Sequence, residues 1–229
     1  MHRIRAICLD LDNTLWDIDP VISRAERSLY YWYRDNYPRV TQRFSLAQIV
    51  EIRQLTIHQM PELAHDLTGL RMAALNHIAE AVGYPPDMAA EAFEVFQAER
   101  NAVTLYSDVI PALQRMSVTH ELFALTNGNA DLEVIGIAHF FRHVFTAREL
   151  GMSKPNVAVY AAVCMESGLQ PGEIVSAGDD PENDIIAAAR AGLRTVWVNR
   201  KERDWSHEEY SPDHIAADLH QLASLISDE

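Results

Sequence analysis

The sequence predicts a doubly wound α/β fold into which an all-helical domain is inserted. Three observations lead there: a short apolar strand pattern near the N-terminus, a long stretch of purely helical texture after it, and a strand–helix alternation from Leu105 onward. Alternation of that kind builds a parallel sheet covered by helices on both faces. The α/β domain is expected to comprise residues 1–15 and 102–229, and the inserted helical domain residues 16–101.

Taken in order, Ile4 to Leu11 is short, apolar and closed by two acidic residues, the pattern of a buried parallel strand. In the inserted stretch, Asp19 and Pro20 predict a helix N-cap and first-turn proline, Ser45 with Gln48 a capping box, and Val82–Gly83 a helix end. Helices are expected at 20–36, 45–59, 66–82 and 87–101. Strands follow at 121–125, 144–146, 174–177 and 195–198, with helices at 108–116, 156–167, 181–191 and near the C-terminus. The polar stretch KERDWSHEEYSPD, residues 201–213, is expected to be a surface loop.

Composition narrows the function. The 229 residues carry 19 Lys plus Arg against 33 Asp plus Glu, a net charge of −14. A field of that sign repels nucleic acid polymers and anionic membranes, and any anion site must be locally cationic. Cys8 and Cys164 show no CxxC or Cys/His spacing and are expected to be buried thiols. The basic start MHRIRAICLDLD has only a very short apolar stretch, and no run of about 18 apolar residues occurs, so neither a signal peptide nor a membrane span is expected and the location is expected to be cytoplasmic. The chain is expected to act as a monomer or homodimer.

In an open α/β sheet, ligands bind beyond the carboxyl ends of the strands. The first predicted strand ends in Asp10 and Asp12; that at 121–125 in Thr126, Asn127 and Gly128; that at 174–177 in Gly178, Asp179 and Asp180, with Asp184 one turn on. Lys154 lies in GMSKP, before a helix that Pro155 and Asn156 are expected to open. Clustered carboxylates call for a hard divalent cation such as Mg²⁺, whereas a lysine, a threonine hydroxyl and backbone amides suit phosphoryl oxygens. Residues i and i+2 of an extended chain point the same way, so Asp10 and Asp12 can address one substrate. Asp10 is assigned as nucleophile and Asp12 as general acid/base, with the Asp12 main-chain carbonyl available to the metal.

These residues, in this order, resemble the haloacid dehalogenase superfamily of phosphohydrolases. DLDNT (Asp10–Thr14), LTNG (Leu125–Gly128), the lysine of SKP (Lys154) and GDDPEND (Gly178–Asp184) are similar to its four motifs, and the helical insertion falls where the family carries its type I cap. The resemblance implies a Rossmann-like core with a helical cap that closes over the site. It implies a Mg²⁺-dependent phosphatase with catalytic Asp10, Asp12 and Lys154, phosphate-binding Thr126, Asn127 and Lys154, and metal ligands Asp10, Asp12, Asp179 and Asp184. Asp184 would bind the metal through water or orient Lys154, and Asp180 either shares that role or only starts a helix. Asn13 stands where many relatives carry Asp or Gly. The dehalogenases of the superfamily lack an acid at the position of Asp12, which favours a phosphatase over dehalogenase activity. A finer resemblance, carried by DIDPVISRAE, TNGNADL and the GDD motif, is to bacterial phosphatases of flavin mononucleotide and of the riboflavin-pathway ribitylamino-uracil phosphate. Nucleotidase-like and sugar-phosphate members are also similar.

A receiver-like phosphoacceptor domain uses the same residue types but is about half this length and has no helical insertion. Trp16 is a candidate to touch substrate, because it sits on the segment joining the two domains. Leu29, Trp32 and Tyr33 share a helical face, which points to packing for the run YYWY. His139 and His143 are spaced to share a helix face, without the acidic residue of a zinc motif.

Overall fold

The computed structural model describes residues 3–227. Its sheet has six strands: β1 (Ala6–Leu9), β2 (Glu121–Thr126), β3 (His143–Thr146), β4 (Ile174–Gly178), β5 (Arg194–Val198) and β6 (His214–Ala216). They lie in the order β3-β2-β1-β4-β5-β6, and every pairing is parallel. All four residues of β1, AICL, are buried. An apolar residue at every position is what a strand covered on both faces requires. The chain winds outward from β1 to β3, then returns to β4 and winds the other way. β1 and β4 therefore flank the switch point, outside whose carboxyl ends α/β sheets bind ligands.

On one side of the sheet, Cys8, Phe123, Phe145, Val159, Tyr160 and Ile174 belong to one buried cluster. The helix Ala158–Ser167 begins two residues beyond Asn156, whose side-chain oxygen accepts from the Ala158 N–H at 3.0 Å. The three-residue strand β6 has no counterpart in the expected elements. It is an edge strand with Ile215 half exposed, and its apolar signal is too short to stand out. Asp213, just before it, accepts from the Thr195 N–H at 2.8 Å and so sets its register against β5.

The chain divides into two compact units: residues 1–17, 104–128 and 136–229, and residues 18–103 with 129–135. The second contains α1 (Ile18–Asn36), α2 (Pro38–Arg43), α3 (Leu46–Gln59), α4 (Leu67–Val82) and α5 (Asp87–Asn101). α1 starts before Asp19, which thus lies in the first turn and not at the cap. The Ser45–Gln48 capping box is formed, and Gly83 ends α4 in the left-handed conformation with φ 69°. Leu29 and Tyr33 are buried in the core of this unit with Ile78, Met88 and Phe96; Trp32 packs against them and Tyr31 is exposed. The YYWY run is thus a packing feature. Residues 129–135 join this unit through polar bonds: Gln97 Nε2 donates to the Asn129 carbonyl at 2.8 Å, and the Asp131 N–H to Asn101 Oδ1 at 2.9 Å.

Candidate active site

The first segment of the site is the continuation of β1. The Asp10 N–H donates to the Ala177 carbonyl at 3.0 Å, extending the β1–β4 pairing by one residue. The chain then turns: the N–H groups of Thr14 and Leu15 both reach the Leu11 carbonyl, and Asn13 takes φ 63°. Asparagine is among the few residues besides glycine that visit this left-handed region readily. The turn brings Thr14 Oγ1 to 3.2 Å from Asp10 Oδ2 and Trp16 Nε1 to 2.8 Å from Asp12 Oδ1, each donating to the carboxylate.

Lys154 is the cation among these acids. It is buried, and Nζ donates to Asp10 Oδ1 at 2.7 Å, Asp184 Oδ1 at 2.6 Å and the Leu125 carbonyl at 2.9 Å, which occupies its three N–H donors. Burial pulls the ammonium's pKa down, but the Asp10 and Asp184 carboxylates override it and hold the group well above its ordinary value. Asn127 grips the main chain of Lys154 from both sides: Nδ2 donates to its carbonyl and Oδ1 accepts from its N–H, each at 2.9 Å. The Asn127 side chain thus places Lys154 and keeps one Nδ2 proton to offer an anion. Thr126 Oγ1 accepts from the Gly128 N–H at 2.9 Å, which leaves the hydroxyl proton to point elsewhere.

Beyond β4 the expected helix 181–191 opens instead with a π-helical turn, Pro181–Ile186. Such turns recur at functional sites. Asp180 caps it, accepting from the N–H groups of Glu182 and Asn183 at 2.9 Å, which is the helix-start role. Asp184 points back, and its Oδ2 accepts from the Asp180 N–H at 3.1 Å. Gly178 makes room for it: a Cβ there would lie 2.2 Å from Asp184 Oδ2. Asp179 is steadied through its carbonyl, which accepts from Trp197 Nε1 at 2.9 Å and Arg203 Nη2 at 2.6 Å.

Asp10, Asp12, Thr126, Asn127, Lys154, Asp179 and Asp184 all line one cleft of about 150 Å³, with Asp180 beside them. Oxygens of Asp10, Asp179 and Asp184 lie within 4.8 Å of one another. Lys154 offsets one of these charges, and Arg203, 3.4 Å from Asp179 Oδ2 and partly exposed, only weakens another. Burial, with Asp10 adding to it, pushes the Asp179 carboxyl up to about 7. Burial raises Asp184 too, against the pull of Lys154. A site that protonates its own carboxyl near neutrality is short of positive charge, and the donor set of carboxylate oxygens suits a hard divalent cation. The Asp12 carboxylate is not in this trio.

Several residues depart from expectation. Trp16, expected to reach substrate, is instead fully buried and away from the cleft lining, with its indole N–H on Asp12. His139 lies on a 3₁₀ turn and His143 opens β3, so they share no helix face. Cys8 is buried as expected, and burial pushes its thiol up to about 12, which leaves it unreactive, whereas Cys164 is only half-buried. The stretch 201–213 is more than a surface loop: Trp205 packs edge-on against Trp197 at 5.2 Å, and Arg203 reaches Asp179. Arg200 is bidentate to Asp108 at 3.1 and 2.7 Å and donates to the Thr14 carbonyl at 2.9 Å, tying the turn after β1 to the helix Val109–Met116. Arginine and tryptophan in a polar stretch carry no periodic signal that would reveal such contacts.

The family model of haloacid dehalogenase-like hydrolases matches residues 4–192. Among curated proteins, the 5-amino-6-(5-phospho-D-ribitylamino)uracil phosphatase YigB of Escherichia coli K12 is 28% identical over 231 residues, covering 99% of this chain and 97% of that one. Human N-acylneuraminate-9-phosphatase is 27% identical and covers 99% and 95%. Among solved structures, a 2-haloacid dehalogenase from Pseudomonas syringae pv. Tomato DC3000 superposes with a TM-score of 0.91 at 32% identity, covering 98% of this chain and 99% of that one.

Proposed function

The chain belongs to the haloacid dehalogenase-like hydrolase family and is a phosphatase of that family, and from this premise we propose that it hydrolyses small phosphomonoesters through an aspartyl-phosphate on Asp10. The observation that carries the proposal is the pairing of Lys154 with Asp10 and Asp184 beside a third, half-buried carboxylate, Asp179. Asp10 is steadied on one oxygen by Lys154 and on the other by Thr14, which aims it as a nucleophile. The Thr126 hydroxyl and the second Nδ2 proton of Asn127 are donors that phosphoryl oxygens can take. Asp12 protonates the leaving oxygen and then takes the proton of the attacking water. Mg²⁺, held by Asp10, Asp179, the Asp12 carbonyl and, directly or through water, Asp184, would supply the positive charge that the phosphoryl oxygens need when bound. With both oxygens engaged by Lys154 and the Asp180 N–H, Asp184 suits orientation of Lys154 best.

The activities of the two phosphatase relatives support a soluble, phosphorylated metabolite as substrate, and a phosphoribityl compound is the first candidate. Among the described residues no helix is long and apolar enough to cross a membrane. The likeness to a 2-haloacid dehalogenase favours a second reading, displacement of halide by Asp10. Halide leaves without a proton and an alkoxide does not, so the Asp12 carboxyl in the cleft favours the phosphatase. A panel of ribityl, flavin, nucleotide and sugar phosphates, with 2-chloropropionate alongside and with Mg²⁺ or chelator, tests both. Phosphate release that needs Mg²⁺ and disappears in Asp10→Asn is expected; chloride release without phosphate release would overturn the reading.

A further inference from the structure

The turn after β1 carries an indole that none of these roles uses. Trp16 pairs with Asp12 on one side and Leu105 on the other, and its carbonyl accepts from the Asn13 N–H at 2.7 Å. The ring is held without exposure, and Nε1 donates to Asp12 Oδ1 at 2.8 Å. An indole nitrogen donates and never accepts. It therefore claims a lone pair of Oδ1 and directs the carboxyl proton of Asp12 to Oδ2.

We infer that Trp16 is a positioning residue for the general acid: its indole N–H, donated to Asp12 Oδ1, fixes the carboxyl plane and places the transferable proton on Oδ2. The inference rests on the phosphatase reading above. In the first step an Asp10 oxygen bonds to phosphorus while the ester P–O bond breaks, and the Oδ2 proton passes to the leaving oxygen. In the second a water oxygen bonds to phosphorus, Asp12 takes the water proton and the Asp10–phosphorus bond breaks. Trp16 makes no contact with the reacting atoms and acts only by holding the acid that does.

The leaving group separates this role from a merely structural one. An alkoxide needs the proton at the moment of cleavage, whereas p-nitrophenolate leaves without it, and kcat/KM covers the steps through formation of the phosphoenzyme. The test compares n-propyl phosphate with p-nitrophenyl phosphate in wild type, Trp16→Phe, Asp12→Asn and the double variant. Trp16→Phe is expected to lower the alkyl-to-aryl ratio of kcat/KM about tenfold, a share of the 10²–10⁴ that a positioned acid contributes. In the Asp12→Asn background the same change is expected to leave the ratio unmoved. Equal losses on both esters, or the same ratio change without Asp12, would overturn the inference. If Trp16→Phe does not fold, benzothienylalanine at position 16 keeps the ring outline, replaces the N–H by sulfur and must give the same fall in ratio. A wild-type protein that hydrolyses neither ester withdraws the phosphatase reading, and this inference with it.

Discussion

Both compact units bury charged clusters, but their balance is opposite. In the helical unit Glu26 is paired with Arg71 at 3.0 Å and Arg53 at 3.2 Å, and the Arg71 guanidinium lies 3.3 Å from the Phe96 ring centroid. The surplus cation rests on an aromatic face that can receive it. In the α/β unit the surplus is negative: Asp10, Asp179 and Asp184 crowd around Lys154, and Asp179 is driven toward protonation. A buried carboxylate answered by two guanidinium groups serves the fold. A cluster short of positive charge is waiting for a ligand, and that difference singles out the cleft independently of any motif.

The comparison can be broken first on the structural side. Glu26→Ala leaves two arginines without their carboxylate, and should cost about 3 kcal/mol in urea-induced unfolding, without recovery on adding Mg²⁺. A loss that Mg²⁺ restores would mean that this cluster, too, is a cation site.

On the catalytic side, Gly178→Ala should act through geometry alone. The added methyl would meet Asp184 Oδ2 at 2.2 Å and displace the carboxylate from Lys154 and the Asp180 N–H. A fall of about 10²-fold in kcat/KM is expected, the cost of misplacing a site by about an ångström. Unchanged turnover would show that the Asp184–Lys154 contact does not set the nucleophile.

The smallest effect sharpens the charge argument. The Asp179 carboxyl titrates at about 7 in the folded chain against 3.8 unfolded. A raised carboxyl favours the fold fully below the unfolded value, and that contribution is lost as pH rises through the folded one. In metal-free protein, Asp179→Asn should therefore gain melting temperature relative to wild type as pH rises from about 4 to above 7, and Mg²⁺ should erase the gain. A difference that does not vary with pH would remove the charge deficit from the account.

Much of this was readable from the chain because the site is built at strand ends. The apolar run into Asp10 marks a central strand by composition alone, and Asp179 follows another, so their meeting at the β1–β4 switch point needs no knowledge of contacts. Lys154 was placed by its order among the other segments, although its burial and triple hydrogen bonding have no local signature. What escaped depends on side chains meeting across long separations. Trp16 turns inward to Asp12 when its place on the connecting segment suggests outward contact. Arg200 and Arg203 act on Thr14 and Asp179 from a stretch whose polarity reads as a loop. Residues 129–135 join the helical unit through asparagine and glutamine side chains, which carry no hydrophobic period to betray the packing.

The most direct measurement is to quench Asp12→Asn protein during incubation with p-nitrophenyl phosphate and Mg²⁺, and to locate phosphate by peptide mass spectrometry. The variant should form the phosphoenzyme with this leaving group and clear it slowly, so phosphate is expected on the peptide that contains Asp10 and is expected to vanish when Asp10→Asn is added. Phosphate at another residue, or continued release of free phosphate by the doubly substituted protein, would contradict an aspartyl-phosphate at Asp10.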